Sequence, residues 1–557
     1  MNRKIAAIAL IFSVICLSSK AQVEKQVEVT RAYVPQIEPA TKLRLEPDMS
    51  DTVRMRPEID YSIQPRSIET TLSAQLYEPA TVTYWEFNRP KTAYVKGGVG
   101  YPLASVADLY ISNSNYNTNY VVGYLNHEGE YGKVTNDFDE KVSGLNTQNK
   151  VGVGAGVYLG SRILEGAVDY SLDMWSRSAT MEPKSDRSTY QAISFDGRYG
   201  DSFVDLTKWN YNFGLDASYM FDAEQNKNAK LGFGVDLGGA VGSGNLFVSV
   251  GYDYVGGSND YQNSSFLLGA KYAFDKSGWN LRVGGDFYYD KVSSSEESNP
   301  AQYIIPHLTI RNSANSSIQP FVELDGELKR YNFASLTSIN PYVMEGMFMV
   351  SNSVEYSLRG GIMGVSTDQK LSYVAYINYT LNKKALYWGL VEDQYMLSSG
   401  AYGLDNYYTA QSGKLQGLSV NLDLEYRPTG DLTFKVGGSF TDYTPSEHVD
   451  LELGRPTAKL YLGGEYATNT LRCGITADLK SSTHTTLTTT YFDGYIPTQE
   501  SVEIPTTINL KAFAEVALKK DLLVFVELDN IANSKQFDWM GYRKYGINAL
   551  AGVKFQF

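Results

Sequence analysis

From Lys91 onward the chain alternates with a period of two, and this is the feature that most restricts its fold. In Phe213-Leu215-Ala217-Tyr219-Phe221 the intervening residues are Gly214, Asp216, Ser218 and Met220; in Leu231-Phe233-Val235-Leu237 they are Gly232, Gly234 and Asp236. Leu418-Val420-Leu422-Leu424-Tyr426 interleaves with Ser419, Asn421, Asp423 and Glu425, and Leu432-Phe434-Val436 with Thr433, Lys435 and Gly437. Successive side chains of a strand point to opposite faces, so each run makes one apolar and one polar face. Length carries the next step. Soluble strands average about five or six residues, whereas a tilted membrane strand needs about 9–11, and the best runs here reach about nine. After the first 21 residues no stretch supplies the ~20 consecutive apolar residues of a spanning helix. If this chain crosses a membrane, it does so as strands.

The mean hydropathy of −0.28 and the 43 Tyr and 49 Gly give a soluble-looking average. Barrel strands produce that average too, because polar lumen faces cancel apolar lipid faces. The tyrosine excess fits aromatic girdles at the two lipid boundaries; exposed loop tyrosines such as Tyr402, Tyr407 and Tyr408 are the alternative, as stacking platforms for sugar or peptide.

Residues 1–21 read as an export signal: Arg3 and Lys4, an apolar run from Ile5 to Leu17, then Ser19-Lys20-Ala21 for cleavage before Gln22. Val14-Ile15 ahead of Cys16 exclude a lipoprotein signal. Cleavage leaves Cys473 alone, with no disulfide framework or paired-cysteine metal site. Loss of Arg3, Lys4 and Lys20 takes the formal charge from −13 to −16, which argues against nucleic acid as a partner. Residues 22–90 hold seven of the 18 prolines. Prolines at this spacing forbid long ladders, so this stretch reads as an arm lying in the periplasm or the lumen, or as a linker. Residues 91–557 form the barrel domain.

Connections come in two sizes, as an outer-membrane barrel requires. Gly160-Ser161, Gly242 to Asn245, Asp275 to Gly278, Asn382-Lys383-Lys384, Pro428 to Asp431, Thr468 to Thr470 and Lys519 to Asp521 read as short turns. Glu128 to Gln148, Arg177 to Tyr190, Val292 to Ala301, Ser398 to Lys414 and Ser481 to Glu503 read as long loops. The expectation is an all-β, transmembrane antiparallel β-barrel of about 22 strands, within a range of 20 to 24. A lumen that wide needs a plug, constricting loops or a partner.

The closing stretch Tyr542 to Phe557 sets Tyr545, Ile547, Ala549, Ala551, Val553, Phe555 and Phe557 on one face. It resembles the closing strand of bacterial outer-membrane barrels, in which a terminal aromatic marks the strand for the insertion machinery; Tyr545, Val553, Phe555 and Phe557 are the candidate targeting end. Val526 to Lys535 with Trp539 and Gly541-Tyr542, and the stretches Ala93 to Tyr101 and Val122 to His127, resemble TonB-dependent outer-membrane receptors. That resemblance covers residues 90 to 557 and implies a receptor or transporter barrel in the outer membrane. It also implies an inner-membrane or periplasmic energy-coupling partner acting through residues 22–90, with Val27 to Val34 as the candidate coupling box. The arm, about 70 residues, lacks the family's glycine-rich plug pattern.

No chemistry announces itself. His127, His307, His448 and His484 are scattered without a second ligand at metal spacing. Asn136 to Glu140 lacks the Gly and terminal Glu of a calcium loop, and Gly152 to Gly156 sits in an alternating strand with no helix after it, so the phosphate-loop reading fails. The expectation is a non-enzyme without cofactor. Asp216, Asp236, Asn421, Asp423, Glu425 and Lys435 are the candidate lumen-facing polar residues, set to tune passage by charge and hydrogen bonding. Two other readings stay open: a structural barrel subunit of an outer-membrane assembly whose arm binds a periplasmic partner, and a secreted, soluble all-β adhesin.

Overall fold

A computed structural model describes residues 92–557 apart from 114–117, 136–140, 178–186, 295–296, 345, 350, 397–401, 447 and 492–495. The export signal, the arm with its candidate coupling box, and the acidic stretch Asn136 to Glu140 lie outside the described residues.

The chain forms a closed antiparallel barrel of 22 strands. Each strand pairs with its neighbour in sequence, and the ring shuts where Ala93–Tyr101 pairs with both Ala104–Ser112 and Asn548–Gln556. Closure leaves the ring no free edge. The alternating apolar residues are exposed on one face: Leu215, Leu231, Phe233, Leu418, Phe434 and Val553 are all between 38% and 50% accessible. Large apolar side chains left bare on every strand of a closed ring form a belt that water would not tolerate and lipid does. The two-layer packing of a soluble sandwich, with apolar rows buried against each other, is absent among the described residues.

Both ends of the ring's chain meet at one rim, where Ala93 N–H donates to the Phe557 carbonyl at 2.9 Å. The short turns of the sequence reading fall at this rim, including Gly160-Ser161 and residues 468–470. Bacterial barrels keep short turns on the periplasmic side, which assigns this rim to the periplasm. At the opposite, outer rim residues 131–145, 330–352, 445–457, 481–506 and 530–547 connect strands.

Several expected connections are corrected. Asn382-Lys383-Lys384 is no turn; it is a bulge inside the 26-residue strand Leu371–Met396. The extra residues are held because Lys384 N–H donates to Ser353 Oγ at 2.7 Å, and Ser353 Oγ in turn donates to Asn382 at 2.6 Å. Most of Ser398 to Lys414 is strand, within the 28-residue Tyr402–Thr429. Between Trp279–Ser293 and Ser298–Asn312 only residues 294–297 remain as connection. Polar composition deceived in each case, because strands that project beyond the lipid have no need of an apolar face. The loops 330–352, 445–457 and 530–547 were not anticipated. The last strand begins at Asn548, so Tyr545 stands outside it, buried, its hydroxyl donating to the Gly144 carbonyl at 2.8 Å.

Beyond the lipid, the long pair Leu371–Met396 and Tyr402–Thr429 gains a third strand in parallel, Thr483–Thr490, which hairpins to Thr498–Ile504.

Candidate functional site

The polar face of many strands carries ion pairs. Asp216 lies on the face opposite exposed Leu215 and accepts from Lys230 Nζ at 2.7 Å; Asp236 accepts from Ser249 Oγ, also at 2.7 Å. Glu425 takes Arg427 at 2.7 Å and Lys435 at 3.3 Å, and Asn421 donates to Ser419 Oγ at 3.0 Å. Asp423 stands across the ladder from Gly437, whose missing side chain leaves it room. Of the six residues expected on this face, the fold brings only Glu425 and Lys435 into contact. Asp216 and Asp236 occupy another arc, and the six do not converge on one point.

Sequence reasoning missed a cross-strand polar group on the wall. His307 lies between two carboxylates, its Nε2 at 2.8 Å from Asp286 and its Nδ1 at 2.6 Å from Asp325, while Lys271 Nζ approaches Asp286 at 3.2 Å. Four consecutive strands supply these residues, and their separation in sequence hides the group.

The mouth is the second component. Residues 330–352 turn inward from the outer rim. Asn332 caps a short helix, Phe333–Ile339, by accepting from Ser335 N–H, and Ser335 Oγ accepts from Asn332 N–H in return. Such reciprocal capping satisfies two orphan donors and fixes where the helix starts. The Phe333 ring then packs against Tyr190, centroids 6.0 Å apart, and Phe348 stacks on Tyr261 at 4.7 Å. Tyr190 is on the face opposite exposed Ile193 and Phe195, so this loop covers the inner wall. Both loop ends are fastened: Arg330 pairs with Asp253 at 2.7 Å, and Asn352 donates to Asp290 at 3.0 Å while accepting from Tyr331 N–H at 3.0 Å.

From the other side of the ring, residues 530–547 meet this loop. The rings of Tyr342 and Tyr542 stack at 3.5 Å and 11°, and Val343 forms a parallel bridge with Tyr408. Tyr542 donates to the Asn406 carbonyl at 2.6 Å and Tyr408 to the Met540 carbonyl at 2.8 Å. Trp388, Leu390, Leu336 and Tyr331 complete one buried cluster with them. Burial pushes the Tyr342 hydroxyl well above its ordinary range, with Asp538 and Tyr542 adding to the effect. Tyr542 is raised as well, by burial, against the pull of Arg177. Both hydroxyls therefore remain neutral. Tyr408, expected as an exposed loop tyrosine, is buried here, and Tyr407 donates to Asp393 at 2.6 Å.

The assembled site is a wide, charge-lined lumen whose outer mouth is crossed by two of the barrel's own loops, clasped through aromatic rings and neutral hydrogen bonds. Together with the exposed belt, this defines the class: an outer-membrane β-barrel, TonB-dependent-receptor-like in fold.

Comparison with solved structures agrees. The chain is similar to the FrpB iron transporter from Neisseria meningitidis (F3-3 variant), with a TM-score of 0.64 at 12% identity over 85% of this chain and 82% of that one. The ferric-catecholate import receptor Fiu from E. coli K12 gives 0.62 at 12% identity, covering 84% and 82%. The pyoverdine outer-membrane receptor FpvA from Pseudomonas aeruginosa PAO1 gives 0.62 at 10% identity, covering 85% and 79%. No family model and no curated protein matches the sequence.

Proposed function

We propose that the protein is an outer-membrane receptor that takes a solute at its outer mouth and admits it by displacing the clasp of residues 330–352 and 530–547, rather than a permanently open pore. The observation that carries this reading is the Tyr342 and Tyr542 stack, which joins loops from opposite parts of the ring over the lumen. An open pore has no use for a mouth crossed by packed rings and anchored at both ends of its inward loop. The structural neighbours named above are iron and siderophore receptors, which supports transport as the role. In this reading the ion pairs of the inner wall set the charge tolerance of passage, and residues 22–90 carry the coupling to a periplasmic or inner-membrane partner.

Planar-bilayer recording tests it. Wild-type protein should show at most brief, small openings, and removal of residues 332–351 should produce steady, large steps. Large steady conductance from the wild-type barrel would overturn the gated reading and favour an open channel.

A further inference from the structure

The lipid-facing side of the barrel carries a second, separate feature. Over five consecutive strands the exposed apolar face ends outward in polar side chains bonded to one another. Ser105 Oγ lies 2.7 Å from His127 Nε2, His127 Nδ1 lies 2.7 Å from Asn149 Oδ1, and the Tyr131 hydroxyl approaches His127 at 3.3 Å. One strand further along, Tyr170 donates to Gln191 Oε1 at 2.8 Å.

Alternation places all of these on the membrane side. His127 shares its face with exposed Val121 and Leu125, Asn149 with Val151 and Val153, and Gln191 with Ile193 and Phe195. They stand eight to ten residues above the periplasmic ends of their strands. At ~3.3 Å per residue and a tilt of ~40°, that is roughly 20–25 Å, the height of the apolar belt of such barrels. The group therefore sits where outer-leaflet acyl chains give way to headgroups. Tyr289 and Tyr254, exposed on other strands, belong to the ordinary aromatic girdle.

Charge narrows what it meets. In a chain with 62 acidic against 49 basic residues, the outer halves of these five strands present no carboxylate on the membrane side among the described residues. They present an imidazole, amides, hydroxyls and, above Gln191 on the same face, the exposed guanidinium of Arg187. Amide and hydroxyl groups match sugar hydroxyls, and an exposed guanidinium beside them matches phosphate.

We infer that this arc, centred on His127 and Asn149 with Arg187 above, is a binding site for a phosphorylated glycolipid headgroup of the outer leaflet. The inference rests on the outer-membrane reading and is independent of what the lumen transports.

The test uses the intact protein purified in detergent and titrated, with native mass spectrometry as readout, against lipid A, dephosphorylated lipid A and phosphatidylglycerol. Lipid A should be retained, with dissociation constants at least tenfold weaker for the dephosphorylated form and for phosphatidylglycerol. The pair His127→Leu with Asn149→Leu should weaken lipid A at least tenfold, as should Arg187→Ala alone, while Tyr289→Leu on another arc should leave it unchanged. Arg187 is exposed, so its variant keeps the test open should the double variant fail to fold. Equal binding by Arg187→Ala and wild type, or equal retention of all three lipids, would overturn the site. Loss of heat-modifiable mobility in the wild type would instead indict the membrane reading itself.

Discussion

Asn352 shows how much a single buried amide can hold. Its Nδ2 donates to Asp290 Oδ2 at 3.0 Å, its Oδ1 accepts from Tyr331 N–H at 3.0 Å, and Asp290 takes a further donor from Asn263 at 2.8 Å. Asn352 and Asp290 are both 1% accessible, so water cannot replace what is lost. A buried polar group left without its partner costs about 1–3 kcal/mol, and more when charged. Asn352→Ala should therefore free the second end of the inward loop without harming the ladder around it. The expected result is faster proteolysis within residues 330–352, by an order of magnitude or more, with heat-modifiable mobility of the barrel intact. Cleavage at the wild-type rate would show that packing of Phe333 and Tyr342, and not this amide, fixes the loop. None of this was legible beforehand. The capping pattern Asn332 to Ser335 is a helix-start signal in the sequence, but a lone Asn gives no sign that it will meet an aspartate 62 positions away.

At the scale of strands, alternation was enough to set the faces, while the expected count of about 22 followed from the length of residues 91–557; alternation failed where strands leave the lipid. The projecting parts of Leu371–Met396 and Tyr402–Thr429 are covered on both sides by loops, so their composition loses the two-residue period and reads as loop. The contacts that require small residues within strands were not legible in the sequence. At the closing seam, Gly552 leaves space for the Phe525 ring, which is fully buried and lies between two ammonium groups, Lys96 at 5.0 Å and Lys554 at 5.2 Å. A β-carbon at Gly552 would run into the Gly97 carbonyl and come within 2.8 Å of the Phe525 ring. Both obstacles belong to strands that close the ring, so neither can yield cheaply. Gly552→Val should reduce the fraction of heat-modifiable barrel recovered from the outer membrane severalfold, whereas Gly97→Ala, whose added carbon meets nothing within 4 Å, should leave it near wild type. Equal recovery of the two would mean that the seam is looser than its packing implies.

For the molecule as a whole, every functional statement depends on which face of the ring meets hydrocarbon, and substitution can separate the faces without reference to transport. Val153 is 58% accessible in the middle of the apolar row Val151, Val153 and Val157, while Asp236 is on the opposite side of its own strand, bonded to Ser249. A basic residue near the bilayer midplane costs ~2–4 kcal/mol on the lipid face of such barrels, because it must be desolvated or thin the bilayer around it; in a water-filled lumen the same charge keeps its hydration. Val153→Arg should therefore lower folded yield in lipid vesicles steeply, and more so in thicker bilayers, where snorkelling to the interface becomes harder. Asp236→Arg removes one acceptor from a wall already balanced by pairs such as Lys230 with Asp216, so folding should proceed while ion selectivity of the loop-deleted channel shifts toward anions. The two variants change charge in the same direction, so their divergence isolates environment from charge. Were Asp236→Arg the one that fails to insert, the polar rows would be the ones meeting lipid, and the lumen, the gate and the headgroup site would all have to be reassigned.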